Sequence, residues 1–180
     1  MARARGVPRR REGMSLPVAG GGGFGPRGPA RPPTHAPADM RVLMNLAMDL
    51  DDIAVDDELS PDALEEFAEE RGVPRAMVYA AVALAPHLPI ARRHGIAFSC
   101  CVAGCQQWGA LDRIEHLLRA RDRRTEASQP AFDVLVRGCM DRCDQAPVVV
   151  VHTPDGVAAV PAEDNANLDA ALAELFGETP

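Results

Sequence analysis

All five cysteines of this 180-residue chain fall in two short stretches. The first reads Cys100-Cys101-Val-Ala-Gly-Cys105 and the second Cys139-Met-Asp-Arg-Cys143. Cys100 and Cys105 are spaced C-x4-C, Cys139 and Cys143 C-x3-C, and loops of that size can wrap a centre larger than one ion. Iron–sulfur clusters take four thiolates and favour backbone N–H donors and apolar cover. Gly104 and Gly138 would let backbone approach the sulfurs. Structural zinc also takes four cysteines, but its pairs are usually closer to C-x2-C. A thioredoxin-type dithiol needs C-x-x-C, which the chain lacks. The vicinal pair Cys100–Cys101 could be redox-active, which leaves the second stretch unexplained, and small buried cysteines can cluster without any function. Spacing alone leaves all of these open.

The elements that must position the cysteines are legible in outline. "GIAFS" reads as a short strand ending at Cys100, and "AFDVLVRG" alternates Phe132, Val134 and Val136 against Asp133, Leu135 and Arg137 as a half-buried strand. Both predicted strands run into cysteines, and strand ends are where an open α/β layer usually builds its site. Trp108, Leu111, Ile114, Leu117 and Leu118 mark an amphipathic helix after Cys105, with Trp108 on its core face and its positive end aimed at the cysteines. "APVVVVH" is a buried strand, "TPDG" a turn and "VAAVP" its hairpin partner. Leu168, Ala171, Leu172, Leu175 and Phe176 give a closing helix.

Upstream the grammar is helical. Leu43, Leu46, Leu50 and Ile53 recur at helical spacing. Ser60 and Pro61 are an N-cap and first position, with Leu64, Phe67 and Ala68 as the stripe and Gly72 as the stop. Pro74 opens a further helix through Met77, Val78, Ala81 and Val82, and "PIARRHG" is a linker. The acidic run 49–58 does not match the ligand order of a calcium loop and reads as a solvated linker. His94, His116 and His152 show no ligand spacing to the cysteines.

Charge is unevenly spread. Residues 1–38 hold seven Arg and one Glu, a balance of +6, with eight Gly and seven Pro. That composition cannot bury a core and predicts a disordered leader. Residues 39–180 hold 12 Arg and 25 acids, a balance of −13. Such a body argues against a nucleic-acid groove. Apolar runs fall short of the ~20 residues a membrane helix needs, and no glycine-rich phosphate fingerprint joins a strand to a helix. A cytoplasmic protein, or one peripheral to a membrane complex, is expected, without direct membrane insertion and without an NAD or flavin site of its own.

From about Asp39 to Phe176 the chain resembles the thioredoxin-like [2Fe–2S] ferredoxin family, which comprises the thioredoxin-fold [2Fe–2S] component of NADH-quinone oxidoreductase (complex I) and its relatives in NAD-linked formate dehydrogenases and hydrogenases. "ALEEFAEERGVPRAMVY" is similar to the family's helical N-terminal region, "FSCCVAGC" to its first cysteine loop, and "GCMDRCDQAPVVVVH" to its second loop and following strand. The resemblance implies an α/β fold: a leader over 1–38, a small helical bundle over 39–90, and a thioredoxin-like mixed-sheet domain over 91–180. It implies that Cys100, Cys105, Cys139 and Cys143 hold one [2Fe–2S] cluster, with Cys101 a bystander. The implied role is one-electron transfer as a subunit of an NADH-linked oxidoreductase complex. The implied partner is that complex's NADH-binding flavoprotein subunit, docked on a rim including Val102, Ala103, Met140 and Arg142. A zinc-stapled interaction module and a free-standing [2Fe–2S] ferredoxin are the alternatives. Two departures stand out. Met140-Asp141-Arg142 replaces the family's Leu-Gly-Ala, so a left-handed glycine position would fall on Asp141. Leu84 and Ala85 stand where the family has an aromatic pair.

Overall fold

A computed structural model describes residues 37–177, except 93, 102, 143, 144, 154, 155 and 163. The predicted ligand Cys143, the rim residue Val102 and the two central residues of the "TPDG" turn therefore lie outside the described residues, as does nearly all of the leader. The chain is mixed α/β, with six α-helices and one four-stranded mixed sheet among the described residues.

The N-terminal helices form where their caps stand. Asp39 accepts from the Arg41 N–H and starts α1 (Met40–Asp49), which runs into a 3-10 turn at Leu50–Asp52. Ser60 Oγ accepts from the Ala63 N–H and starts α2 (Pro61–Arg71), which Gly72 ends at φ 62°. Pro74 precedes α3 (Arg75–Val82). The acidic stretch between α1 and α2 closes on itself: Val55 and Glu58 exchange backbone hydrogen bonds of 3.0 Å across Asp56 and Asp57, both at positive φ. Short polar Asp side chains tolerate that conformation best after Gly and Asn. The predicted linker is partly structured, because Ile90 is buried and bridges to Leu59.

The sheet takes the order β2-β1-β3-β4, with β1 (Gly95–Cys100), β2 (Phe132–Arg137), β3 (Val148–Thr153) and β4 (Gly156–Pro161). β1 and β2 are parallel, and the other two pairings are antiparallel. A parallel pair needs a crossover. It is made here by two helices, α4 (Ala103–Gln107) and α5 (Ala110–Glu126). The single amphipathic helix expected after Cys105 is thus corrected: Gly109, at φ 86°, breaks it, and Cys105 lies inside the short α4. Trp108 is corrected with it, standing in the break at 38% exposure rather than in the core. β2 is not half-buried as its alternation suggested. Phe132 to Val136 are all buried, with α5 and α3 both packed against the strand. The chain closes with α6 (Asn165–Phe176), capped by Asp164.

One apolar core runs from Leu43 and Leu46 of α1 through Val78 and Tyr79 of α3 to Ile114, Val134, Val151 and Leu168. Ion pairs reinforce the seam between α3 and α5. Arg75 donates to Asp122 at 2.7 Å and to Glu115 at 3.3 Å. Arg121 donates to the Tyr79 hydroxyl at 3.1 Å and pairs with Glu65 of α2. At the far end of the sheet Phe176 stacks on Phe132, with ring centroids 5.1 Å apart.

Candidate metal centre

Parallel pairing of β1 and β2 brings the cysteine loops together. Cys100 lies opposite Arg137, so both parallel strands finish at the same end of the sheet. The ladder extends one residue further, the Cys101 N–H donating to the Arg137 carbonyl at 3.0 Å. Two loops that are 38 residues apart in sequence thereby meet, and the Cys100 Sγ sits 3.5 Å from the Gly138 carbonyl oxygen.

Alternation along the extended chain separates the vicinal thiols. Cys100 faces Cys105, their Sγ atoms 3.2 Å apart. Two thiolates on one tetrahedral ion with ~2.3 Å bonds stand about 3.8 Å apart, so a small adjustment would suffice. The pair lies in an apolar pocket of its own, formed with Ala110 and Ala146 and flanked by Met140. Cys101 belongs instead to the main core. Burial, with Cys100 alongside, pushes its thiol up to about 12.

Cys139 opens the second loop and is exposed. Its Sγ accepts the Asp141 N–H at 3.4 Å, a donor of the kind that sulfur ligands use. Asp141 makes that bond from φ 53°. The left-handed conformation therefore does fall at the position where the resembling family has glycine. The cost for a non-glycine residue is about 1 kcal/mol, eased for Asp by its short polar side chain. The thiol of Cys139 is shifted upward: the Asp141 N–H works against the shift, while desolvation and the Asp141 carboxylate drive it.

Gly104 and Gly138 flank the cysteines, and the Gly138 carbonyl stands beside the Cys100 sulfur. A Cβ built on either would meet no described atom within 4 Å, so there is open space beside both loops. Among the described residues no group of three or more His, Cys, Asp or Glu side chains stands at metal-holding distances. The predicted fourth ligand falls outside them. The donor set nevertheless suits a thiophilic centre: two sulfurs in contact, a third on the adjoining loop, apolar cover and an N–H donor.

Sequence reasoning missed Gln106. It is 2% exposed and directly follows Cys105. Its Nε2 donates to the Cys101 carbonyl at 3.1 Å and its Oε1 accepts from the Ala38 N–H at 3.0 Å. The one signal available was a polar residue placed next to a candidate ligand. No protein-family model matches the chain, and no curated protein matches it.

Proposed function

We propose that this chain is a one-electron carrier that holds a [2Fe–2S] cluster on Cys100, Cys105, Cys139 and Cys143 and serves an NADH-linked oxidoreductase complex. The observation that carries the proposal is the sulfur contact of Cys100 and Cys105, with the Cys139 loop delivered beside it by the β1–β2 pairing. Bound there, such a cluster supplies reversible one-electron oxidation and reduction. The protein's part is to hold and shield it. Ala110, Ala146 and Met140 exclude water on the Cys100–Cys105 side. The Asp141 N–H neutralises charge on the Cys139 sulfur. Cys101, kept as a buried thiol, stays out of the ligand set.

The topology supports a thioredoxin-like reading. A βαβ unit (β1, α4 and α5, β2) is followed by a ββα unit (β3, β4, α6) in the order β2-β1-β3-β4. In this reading helices α1–α3 take the place of the helical bundle of the resembling family. Among the described residues no helix is long and apolar enough to cross a membrane. In this reading the chain is a cytoplasmic or peripheral subunit whose partner is the NADH-binding flavoprotein. Met140, half-buried, and Arg142, exposed, lie on the cysteine rim, an apolar group beside a cation that suits docking.

Anaerobic purification or reconstitution, with iron, sulfide and zinc analysis and EPR of the reduced protein, tests this. About two iron and two sulfide per chain are expected, with loss or alteration of the signal in each Cys→Ser variant of the four. Stoichiometric zinc without sulfide would overturn the reading in favour of a zinc-stapled module.

A further inference from the structure

We propose that Gln106 is a positioning residue that staples the first cysteine loop closed and ties it to the root of the N-terminal segment at Ala38. The proposal rests on the reading of Cys100 and Cys105 as ligands and adds a control point to that site. Its two anchors in the loop are each one residue beyond a ligand. Gln106 follows Cys105, and the Cys101 carbonyl that it holds follows Cys100. Setting the distance from Cys101 to Gln106 sets the approach of the two sulfurs carried by the residues just before them. The Cys101 peptide is gripped from both sides, its N–H by the Arg137 carbonyl and its C=O by Gln106.

The other end of the same amide reaches across 68 residues of sequence to the Ala38 N–H. Ala38 is half-buried against the main core, immediately before the Asp39 cap of α1. An amide is the group that can do both jobs, because it donates with nitrogen and accepts with oxygen. Leu would fill the volume and satisfy neither partner; Asn would fall short. Neighbouring Gln107, of the same type, is exposed. The consequence is that the state of the N-terminal junction is felt at the metal centre. A change at residue 38 alters the loop without touching a cysteine.

The test is a double-mutant cycle on the full chain. Gln106→Leu removes both bonds, Ala38→Pro removes only the N–H that Gln106 accepts, and Ala38→Gly keeps that N–H as control. The readouts are the rate of iron transfer from the loaded protein to a chelator, well below the melting temperature, and the EPR line shape. Leaving a buried carbonyl unsatisfied should accelerate iron loss roughly tenfold in Gln106→Leu. Ala38→Pro should give a smaller acceleration, and the double variant should be no faster than Gln106→Leu alone. Ala38→Gly should match the native chain. In the metal-free chain the same variants should raise the alkylation rate of Cys101 in the same order. A merely structural role would lower the melting temperature of Gln106→Leu while leaving iron loss and labelling at 25 °C within about twofold of native. That result, or effects of the two substitutions that multiply fully, would overturn the proposal. If the native chain takes up no iron and sulfide, the ligand reading falls instead, and Cys101 labelling alone still decides the role of Gln106.

Discussion

Arg124 offers the sharpest test of how the sheet end away from the cysteines is held. It is 1% exposed, and its guanidinium spans three carbonyls: Pro130 at 2.7 Å, Gly177 at 2.8 Å, and Phe176. These belong to the loop entering β2 and to the last turn of α6, so one side chain at the end of α5 locks both. Each hydrogen bond from a charged donor contributes about 1.5–3 kcal/mol, or roughly 4.5–9 gross for three. Desolvating the guanidinium opposes this by several kcal/mol. Pro130 and Gly177 are exposed residues, so their carbonyls can recover water once released. The net loss in Arg124→Met, which keeps apolar bulk and removes every donor, should therefore be about 3 kcal/mol. For a chain of this size that lowers the melting temperature by roughly 6–12 °C. Arg124→Lys should fall between, since one ammonium cannot serve three diverging acceptors. Thermal and guanidinium unfolding of the three proteins measures this. The Arg124→Met chain should keep any cysteine-centred spectrum while folded, because Phe176 packs against Gly95, at the opposite end of β1 from Cys100. A loss under 1 kcal/mol in Arg124→Met, or a lysine variant as stable as native, would refute the clamp.

Gly95→Ala should cost about 1–3 kcal/mol, because the new Cβ would lie 2.7 Å from Phe176 Cε1 and 3.1 Å from the His152 carbonyl oxygen; adding Phe176→Leu should recover part of the loss in urea unfolding. Asp122 sits half-buried, which pushes its carboxyl up, but hydrogen bonds from Arg75 and Arg121 outweigh burial and hold it below its ordinary value. A depressed folded value means that its stabilisation is complete above the unfolded value of about 3.9 and is lost as pH falls further. Asp122→Asn should accordingly lower stability at neutral pH and flatten the acid limb of a stability-against-pH curve. With its thiol pushed up to about 12, Cys101 should be the slowest described cysteine to react with iodoacetamide at pH 8 and exposed Cys139 the fastest, as peptide mass spectrometry would show. Arg142→Glu should weaken co-purification with the flavoprotein partner without changing the EPR spectrum of the isolated chain; unchanged co-purification would remove Arg142 from the docking face.

Short-range physics made much of this molecule readable from its residues. The Ser60 cap, the Gly72 stop and the β3–β4 hairpin depend on groups a few positions apart, and caps, left-handed glycines and alternation are written locally. Grouping of the cysteines at two strand ends was legible for the same reason. The meeting of those strand ends required the parallel register of β1 with β2, which no local pattern specifies. Packing settled the rest. β2 reads as half-buried because its polar positions alternate, yet Phe132 to Val136 are all buried: α3, from far upstream in the chain, packs on the strand together with α5, and Asp133 accepts from the His94 N–H at 2.8 Å. Leu111 to Leu118 carry helical spacing back toward Cys105, but Gly109 takes φ 86° and turns the chain between α4 and α5. Nothing local marks Gln106 as buried; the fold sets the Cys101 carbonyl on one side of it and the Ala38 N–H on the other. A polar side chain's burial depends on whether distant backbone groups arrive to satisfy it, and only the folded chain brings them there.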